Sequence, residues 1–458
     1  MKKRIFIVYP PKQIFDKLKN NENYIFYKNW SLIYFDKKLK KNISTSIKEL
    51  PIESNALLFD NNIRNLVTSM QLVLERWLRG MSDLDILRNN IIINIAKIKQ
   101  FLKKHNVEKT IFYSASPHHV ETAIISCCVS SLNIPEYFFK KHCFGALMIK
   151  GSVLFSKRSI PQFSQTDYNL NDEISNFVSN LSLNLPPKKT GQKRNWWKKN
   201  FLICLGFGII ITLREYYILL FKDIDKICLK QHTFKRVFYD MLNQKKFIKN
   251  YYQKELKNIN IDEYNGGIII IAHMQPEATV VPEGGMYSSN LDLILKFRSL
   301  GFKKDIFYKE HNGSLHYFNH SVGPTGVGGY RSKKYLNDLF SLNVKLLPIN
   351  KYISKNTSNW IATITGTVAI ERSLLGLKTI VAGEPWYKGL PGTISINEIT
   401  LDQLNEIPPK PDLKISEDAR LFLISKMNRN YLPQLPEIVN EKVLDLHLNY
   451  FDQILKHR

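Results

Sequence analysis

Trp360-Ile-Ala-Thr-Ile-Thr-Gly-Thr-Val-Ala-Ile-Glu-Arg-Ser-Leu-Leu-Gly-Leu-Lys-Thr-Ile-Val-Ala-Gly383 reads as strand, tight loop, helix, stop signal and second strand in 24 residues. Residues 360–364 are short and apolar. Thr365-Gly366-Thr367 places two hydroxyls around a flexible glycine, and Val368 to Leu375 has helical spacing ended by Gly376. The N–H groups of the helix start therefore fall at the carboxyl end of a strand. In open α/β sheets phosphate groups bind there, because unpaired donors and the positive end of the helix dipole converge. A plain β-α-β unit with a threonine cap has the same local pattern, and the two readings stay open at this point.

Three further segments carry more information. Ile268-Ile-Ile-Ile-Ala272 is a buried-strand run, followed by His273-Met-Gln-Pro-Glu-Ala-Thr279 and Pro282-Glu-Gly-Gly-Met-Tyr287. Asp305-Ile-Phe-Tyr308 is another, followed by Lys309-Glu310-His311. Trp386-Tyr-Lys-Gly-Leu-Pro-Gly392 comes directly after the strand ending at Gly383. This order of Q-P-E-A-T, G-G-x-Y, K-E-H, T-G-T-x-x-x-E and W-Y-x-G-x-P-G resembles the bacterial capsule polysaccharide biosynthesis family, whose best-understood members are Kdo transferases. The resemblance is strong over residues 266–395 and faint in the N-terminal half. Two positions depart from it: Asn312 follows His311 where the family has proline, and Arg372 stands where a small residue is usual.

The resemblance implies a donor site. His311 would donate to a donor phosphate, and Thr365, Gly366 and Thr367 would cradle it. A carboxylate beside phosphate is electrostatically unfavourable, so Glu371 is expected to accept hydrogen bonds from ribose hydroxyls or a base amine; a helix N-terminal Glu stabilised by the dipole is the alternative. Gln275 and Glu277 flank Pro276 in a loop after a strand, which makes Glu277 a candidate for acid/base work and Gln275 for donor contact. Lys309 and Arg331 could neutralise charge on the leaving nucleotide. No D-x-D metal motif with strand context occurs, and no metal or other cofactor is expected beyond the nucleotide-sugar substrate. On the acceptor side, Asp60, His118, His119 and Glu121 follow strand signals, and one carboxylate among them is a candidate base or nucleophile.

At 458 residues with 44% hydrophobic and 12% aromatic content, the chain is long enough for two to three domains with buried cores. Cys127, Cys128, Cys143, Cys204 and Cys228 lack metal-ligand or redox spacing and read as buried thiols in a reducing cytoplasm. MKKRIFIVYPPK at the start has only a five-residue apolar run before two prolines, so it reads as a first strand and not a signal peptide. The formal charge of +25 attracts polyanions and acidic lipid surfaces alike. An AT-rich coding bias, visible in the abundance of Lys, Asn, Ile, Tyr and Phe, accounts for part of it. Clustering is more informative. Residues 188–199 (KKTGQKRNWWKK) hold six basic side chains, no acidic one and two tryptophans, directly before the 13-residue apolar run Phe201–Leu213. A bilayer span needs about 20 apolar residues. The run is thus a buried core helix or, as favoured here, an interfacial segment held by basic residues and tryptophan on an anionic inner-membrane surface. No nucleic-acid-binding pattern accompanies the charge, so no nucleic-acid partner is expected.

Along the chain, Arg4–Tyr9, Ala56–Phe59, Lys109–Tyr113 and Glu136–Phe139 read as strands. Asp83–His105 reads as a long helix, and a further helix runs to about Leu132. The expected organisation is an acceptor-side α/β domain over 1–160, a basic and helical connecting segment over 161–262, a nucleotide-sugar-binding Rossmann-like domain over 263–416 and a helical tail over 417–458. This is the α/β, GT-B-like arrangement of two Rossmann-like domains with a cleft between them and a helical tail. The function expected is a metal-independent glycosyltransferase of capsule or surface polysaccharide synthesis, cytoplasmic and peripheral to the inner membrane. Its donor is expected to be a CMP-activated acidic sugar and its acceptor a glycan or lipid-linked glycan, with capsule assembly or export proteins as further partners. A CDP-alcohol-dependent glycerol- or ribitol-phosphate transferase and a non-catalytic assembly or export protein are the alternatives.

Overall fold

The computed structural model describes residues 4–27, 95, 98–113, 120–151, 158–159, 170–182, 200–207, 209–210, 213, 234–254, 264–273, 283–287, 289–311, 314, 333–348, 353–427, 431–432 and 441–456. In chain order the elements begin with β1 (Arg4–Val8), α1 (Lys12–Leu18), β2 (Tyr24–Tyr27), β3 (Val107–Phe112), α2 (Val120–Ser131), β4 (Glu136–His142), β5 (Gly145–Gly151) and β6 (Arg158–Ser159). They continue with α3 (Leu170–Ser182), α4 (Phe234–Lys254), β7 (Ile268–Ile271), α5 (Asn290–Ser299), β8 (Ile306–Lys309), α6 (Lys333–Ser341) and β9 (Val344–Leu346). The last are β10 (Trp360–Thr363), α7 (Val368–Leu374), β11 (Thr379–Val381), β12 (Thr393–Ser395), α8 (Leu401–Asn405), α9 (Leu413–Met427), β13 (Tyr431–Leu432) and α10 (Glu441–Lys456). Two compact units result: one of residues 1–168, 218–231 and 426–458, the other of residues 169–217 and 232–425.

The first unit holds a seven-stranded sheet of order β13-β5-β4-β3-β1-β2, with β6 paired to β5. Its β2-β1-β3-β4 part is parallel, and β5, β6 and β13 add antiparallel strands. Alternate residues of the parallel strands, Ile5, Ile7 and Ile111, enter one core. Leu444, Tyr450, Phe451 and Ile454 of α10 complete it at helical spacing. Among the described residues of the tail, those up to Met427 and Glu441–Lys456 are helical, and Tyr431–Leu432 adds a strand to β5. The cysteine reading needs one change: Cys127, Cys128 and Cys204 are buried thiols, but Cys143 sits exposed in the turn between β4 and β5. Cys228 lies outside the described residues, as do Ala56–Phe59 and most of 83–105.

The second unit is the more regular. All six strands are parallel, in the order β12-β11-β10-β7-β8-β9. Counted from β7 this is 3-2-1-4-5-6, the doubly wound Rossmann order, whose direction reverses between β7 and β10. Both faces are covered, as a parallel sheet requires. Ile268 and Ile270 point into a core shared with α4, α5 and α6, while Ile269 and Phe307 pack with Leu347, Ile353, Ile361 and Val368 on the other face. The continuous isoleucine run of β7 is the sequence consequence of that two-sided burial. Phe247 and Tyr251 place α4 in the same core.

Candidate functional site

The segment 360–383 folds as read. β10 ends at Thr363, α7 runs from Val368 to Leu374, and Gly376 at φ +75° stops it. Gly376 N–H donates to Ser373 O at 2.9 Å and Leu377 N–H to Arg372 O at 2.8 Å, a Schellman stop. The chain then enters β11, which pairs in parallel with β10. The Thr365-Gly366-Thr367 loop thus stands at the carboxyl end of β10, beside the end of β7, at the point where the strand order reverses. Ligands of open α/β sheets bind at this crevice because adjacent loops diverge from it.

Side chains from β7 and β10 shape the loop. His273, following β7 and 7% exposed, accepts from Thr365 N–H through Nε2 at 3.2 Å and lies 3.1 Å from Thr363 Oγ1. Thr363 Oγ1 in turn accepts from Gly366 N–H at 3.2 Å. Tyr387, buried in the W-Y-x-G-x-P-G segment, donates to Gly366 O at 2.7 Å. The backbone of His273 is itself clamped by the first residue of α5. Asn290 Oδ1 accepts from His273 N–H and Asn290 Nδ2 donates to His273 O, each at 3.3 Å. Ser289 caps that helix in a capping box with Asp292.

This geometry corrects the expectation of a fully open set of donors. The N–H groups of Thr365 and Gly366 are spent on His273 and Thr363. Thr367 also makes no side-chain cap, since it already has helical dihedrals of −61° and −18°. Among the described residues, no partner is found for the N–H groups of Thr367 and Val368, and Thr367 is exposed. Those two, with the Thr367 hydroxyl, are the donors the loop offers outward. The loops at Glu283 and Gly383 close on it: a Cβ on Gly383 would meet Glu283 O and Thr365 Cγ2 at 2.6 Å, and one on Gly366 would meet Thr363 Oγ1 at 2.5 Å. Neither position has room for a side chain.

Lys309 ends β8, the strand beyond β7, and His311 follows two residues later at the same sheet edge. The peptide between them is fixed by Glu310, which is 1% exposed. Its carboxylate accepts from Tyr308 Oη at 3.0 Å and from His311 N–H at 2.8 Å, while its own N–H donates to Tyr251 Oη of α4 at 3.2 Å. Gln244 of α4 donates to Ser314 O at 2.6 Å. The K-E-H glutamate is therefore a buried brace that presents His311. Strands lie about 4.8 Å apart, so β8 stands roughly 10 Å from β10 across the edge.

Glu371 is buried on α7 and accepts from Ser354 Oγ at 2.6 Å. Its neighbour Arg372, 1% exposed, donates to Ser354 O, Asn356 O, Lys378 O and Thr379 Oγ1 at 2.7–3.1 Å. Burial pushes the guanidinium down to about 9, and the four oxygen acceptors offset the lost hydration. The two residues tie α7 to the 353–356 loop. Gln275, Glu277, Arg331, Asp60 and His118 lie outside the described residues, and of Glu121 only its place on α2 is described.

Sequence reading assigned no role to His273, Thr363, Asn290 or Tyr387. Two carried a signal: His273 opens the H-M-Q-P-E-A-T segment, and Tyr387 belongs to the W-Y motif. Thr363 shows only as one polar residue in an apolar strand, and Asn290 not at all.

No protein-family model and no curated protein sequence matches the chain. Among solved structures it is similar to a β-Kdo 2,7 transferase, KpsC of Thermosulfurimonas dismutans, at 10% identity and a TM-score of 0.32, over 71% of this chain and 79% of that one. It is also similar to UDP-N-acetylglucosamine 2-epimerase from Rickettsia bellii, at 12% identity and a TM-score of 0.28, over 99% of this chain and 98% of that one. A third similarity is to Acinetobacter baumannii MurG, at 10% identity and a TM-score of 0.21, over 98% of this chain and 100% of that one.

Proposed function

We propose that this chain is a glycosyltransferase of capsule or surface polysaccharide synthesis, moving an acidic sugar of the Kdo type from a CMP-activated donor to a glycan or lipid-linked acceptor. The observation that carries this reading is the Thr365-Gly366-Thr367 loop, pre-shaped by His273 and Thr363 at the reversal point of a doubly wound parallel sheet. The motif resemblance over residues 266–395 supports the substrate class.

In this proposal the donor phosphate sits on the Thr367 hydroxyl and the Thr367 and Val368 N–H groups, and His311 donates to it from the end of β8. The acceptor hydroxyl oxygen bonds to the anomeric carbon as the carbon–oxygen bond to phosphate breaks. The electron pair leaves with CMP, and Lys309 and Arg331 stabilise that charge without a metal. The acceptor proton passes to a carboxylate, Glu277 or an acceptor-side residue among Asp60 and Glu121, with His118 as another candidate on that side. Gln275 contacts the donor sugar. A CDP-alcohol-dependent transferase would use the same loop for a diphosphate.

Thermal shift with CMP, CDP, UDP and GDP tests the reading, since a ligand of the native state raises its stability with occupancy. CMP is expected to raise the melting temperature most. A larger shift with CDP would favour the alcohol-phosphate transferase, and no shift with any of the four would favour a non-catalytic assembly protein.

A further inference from the structure

His311 is gripped through its backbone on both sides. Its N–H donates to the Glu310 carboxylate at 2.8 Å, and its carbonyl accepts from Ser314 N–H at 2.9 Å. Ser314 O in turn accepts from Gln244 Nε2 of α4 at 2.6 Å. Glu310 is the member of this grip that connects outward. One carboxylate oxygen takes His311 N–H, and the other takes Tyr308 O–H at 3.0 Å. A tyrosine hydroxyl has one proton, and that of buried Tyr308 goes to Glu310. The Tyr335 hydroxyl of α6, 2.9 Å from Tyr308 Oη, is therefore the donor of that pair. The bonds thus run one way, from Tyr335 to Tyr308 to Glu310 Oε2, with Oε1 on His311. Each hydroxyl in such a chain polarises the next, and the low-dielectric interior strengthens every bond. The two tyrosine rings also meet edge to face, with centroids 6.3 Å apart.

We propose that Tyr335 and Tyr308 are positioning residues for His311, so that α6 sets, through the Glu310 carboxylate, where that histidine stands beyond the end of β8. Three observations carry the step. A carboxylate at 1% exposure is costly to bury, and an apolar side chain would seal the same space without that cost, so its presence answers to what it holds. What it holds is His311 N–H. The Glu310 peptide is also fixed from its other side: its N–H donates to Tyr251 Oη at 3.2 Å, and Tyr251 Oη donates to Leu347 O at 2.8 Å. With backbone tied by Tyr251 and side chain by Tyr308, the carboxylate is a rigid acceptor. Finally, the neighbouring strand end uses the same device, since Asn290 holds both backbone groups of His273. The consequence for nucleotide affinity rests on the donor-site reading of His311, whereas the positioning itself does not.

Carbon-13 labelling of the histidine rings in the full chain gives eleven NMR signals, and the one missing from His311→Ala belongs to His311. Tyr335→Phe and Tyr308→Phe should each move that signal and leave the His105 signal of the first unit in place. Tyr335→Phe is the milder change, because Tyr335 is only half-buried, and it should keep the melting temperature near wild type. In CMP titration calorimetry either substitution should weaken binding roughly two- to ten-fold, the worth of one neutral hydrogen bond. Combined with His311→Ala, neither should weaken it further, because the tyrosines act through that histidine. A His311 signal unmoved by both substitutions overturns the proposal whatever CMP does. Equal loss of CMP affinity with and without His311 also overturns it, since the effect would then run through the fold at large. A wild type that ignores CMP while its His311 signal still responds to Tyr335→Phe would strike the donor-site reading and leave the positioning standing.

Discussion

His273 supplies the buried acceptor that lets the Thr365 N–H turn inward, and the shape of the loop depends on it. His273→Ala leaves that N–H short of an acceptor, at a cost of about 1–3 kcal/mol in stability. His273→Gln can place an amide oxygen near the Nε2 position and should recover part of the loss. If His311 holds the donor phosphate as proposed, His311→Ala should weaken CMP binding by roughly 1.5–3 kcal/mol, the worth of a hydrogen bond to a charged group, beyond any change in stability. Calorimetric nucleotide titration beside urea unfolding separates the two: a His311→Ala protein with wild-type affinity would remove His311 from the donor site. A second residue-scale expectation concerns acid. His142 accepts from Phe144 N–H through Nδ1 at 3.2 Å, and burial of its ring pushes it from 6.5 down to about 3. Between those values the unfolded chain binds a proton that the folded one refuses, so stability falls as pH drops through 6.5 toward 3, by up to roughly 4–5 kcal/mol. His142→Asn keeps an acceptor for Phe144 and should lose less stability between pH 7 and pH 4 in urea melts.

Among the elements, α7 and its flanking loops show how close approach dictates composition. Gly383 lies where Glu283 O, Thr365 Cγ2 and Gly284 Cα converge, and Glu384 N–H donates to the same Glu283 O at 2.7 Å. Gly383→Ala must push backbone apart at the Thr365-Gly366-Thr367 loop, costing about 1–3 kcal/mol by overpacking. Affinity for CMP should fall together with the melting temperature; an alanine protein with both unchanged would mean the three loops do not meet tightly. Gly376 has a different origin, the left-handed C′ position of a Schellman stop, which is why it stands out in the sequence. Arg372 shows how a large charged side chain is accommodated in a buried position. Its guanidinium finds four oxygen acceptors at the edge where α7, β11 and the 353–356 loop meet.

For the whole molecule, the tail joins the beginning of the chain. α10 places Leu444, Tyr450, Phe451 and Ile454 in the core built on β1 and β3, and His447 Nδ1 lies 3.1 Å from Tyr113 Oη just past β3. Each buried apolar side chain is worth about 1.5–3 kcal/mol, so the four together approach the roughly 5–15 kcal/mol by which a domain is stable. Ending the chain before Glu441 should therefore raise hydrogen exchange in β1, β3 and β4, while β7 and β10, whose core contains no tail residue, stay protected. Equal protection in all five strands would show α10 to be dispensable.

The local grammar of the second unit is written in its residues. Two-sided burial makes β7 an unbroken isoleucine run, a left-handed stop demands Gly376, and helical spacing marks Val368 to Leu375, of which Val368–Leu374 is helix. These signals were legible because each depends on neighbours within a turn or a strand. Contacts between distant segments set β7 beside β10, which brings His273 to Thr365 across 92 residues and turns two loop donors inward. They also place α10 in the core of the first unit. Strand order and the partners of buried polar groups are set by contacts between distant segments, and periodicity within a segment carries no record of them.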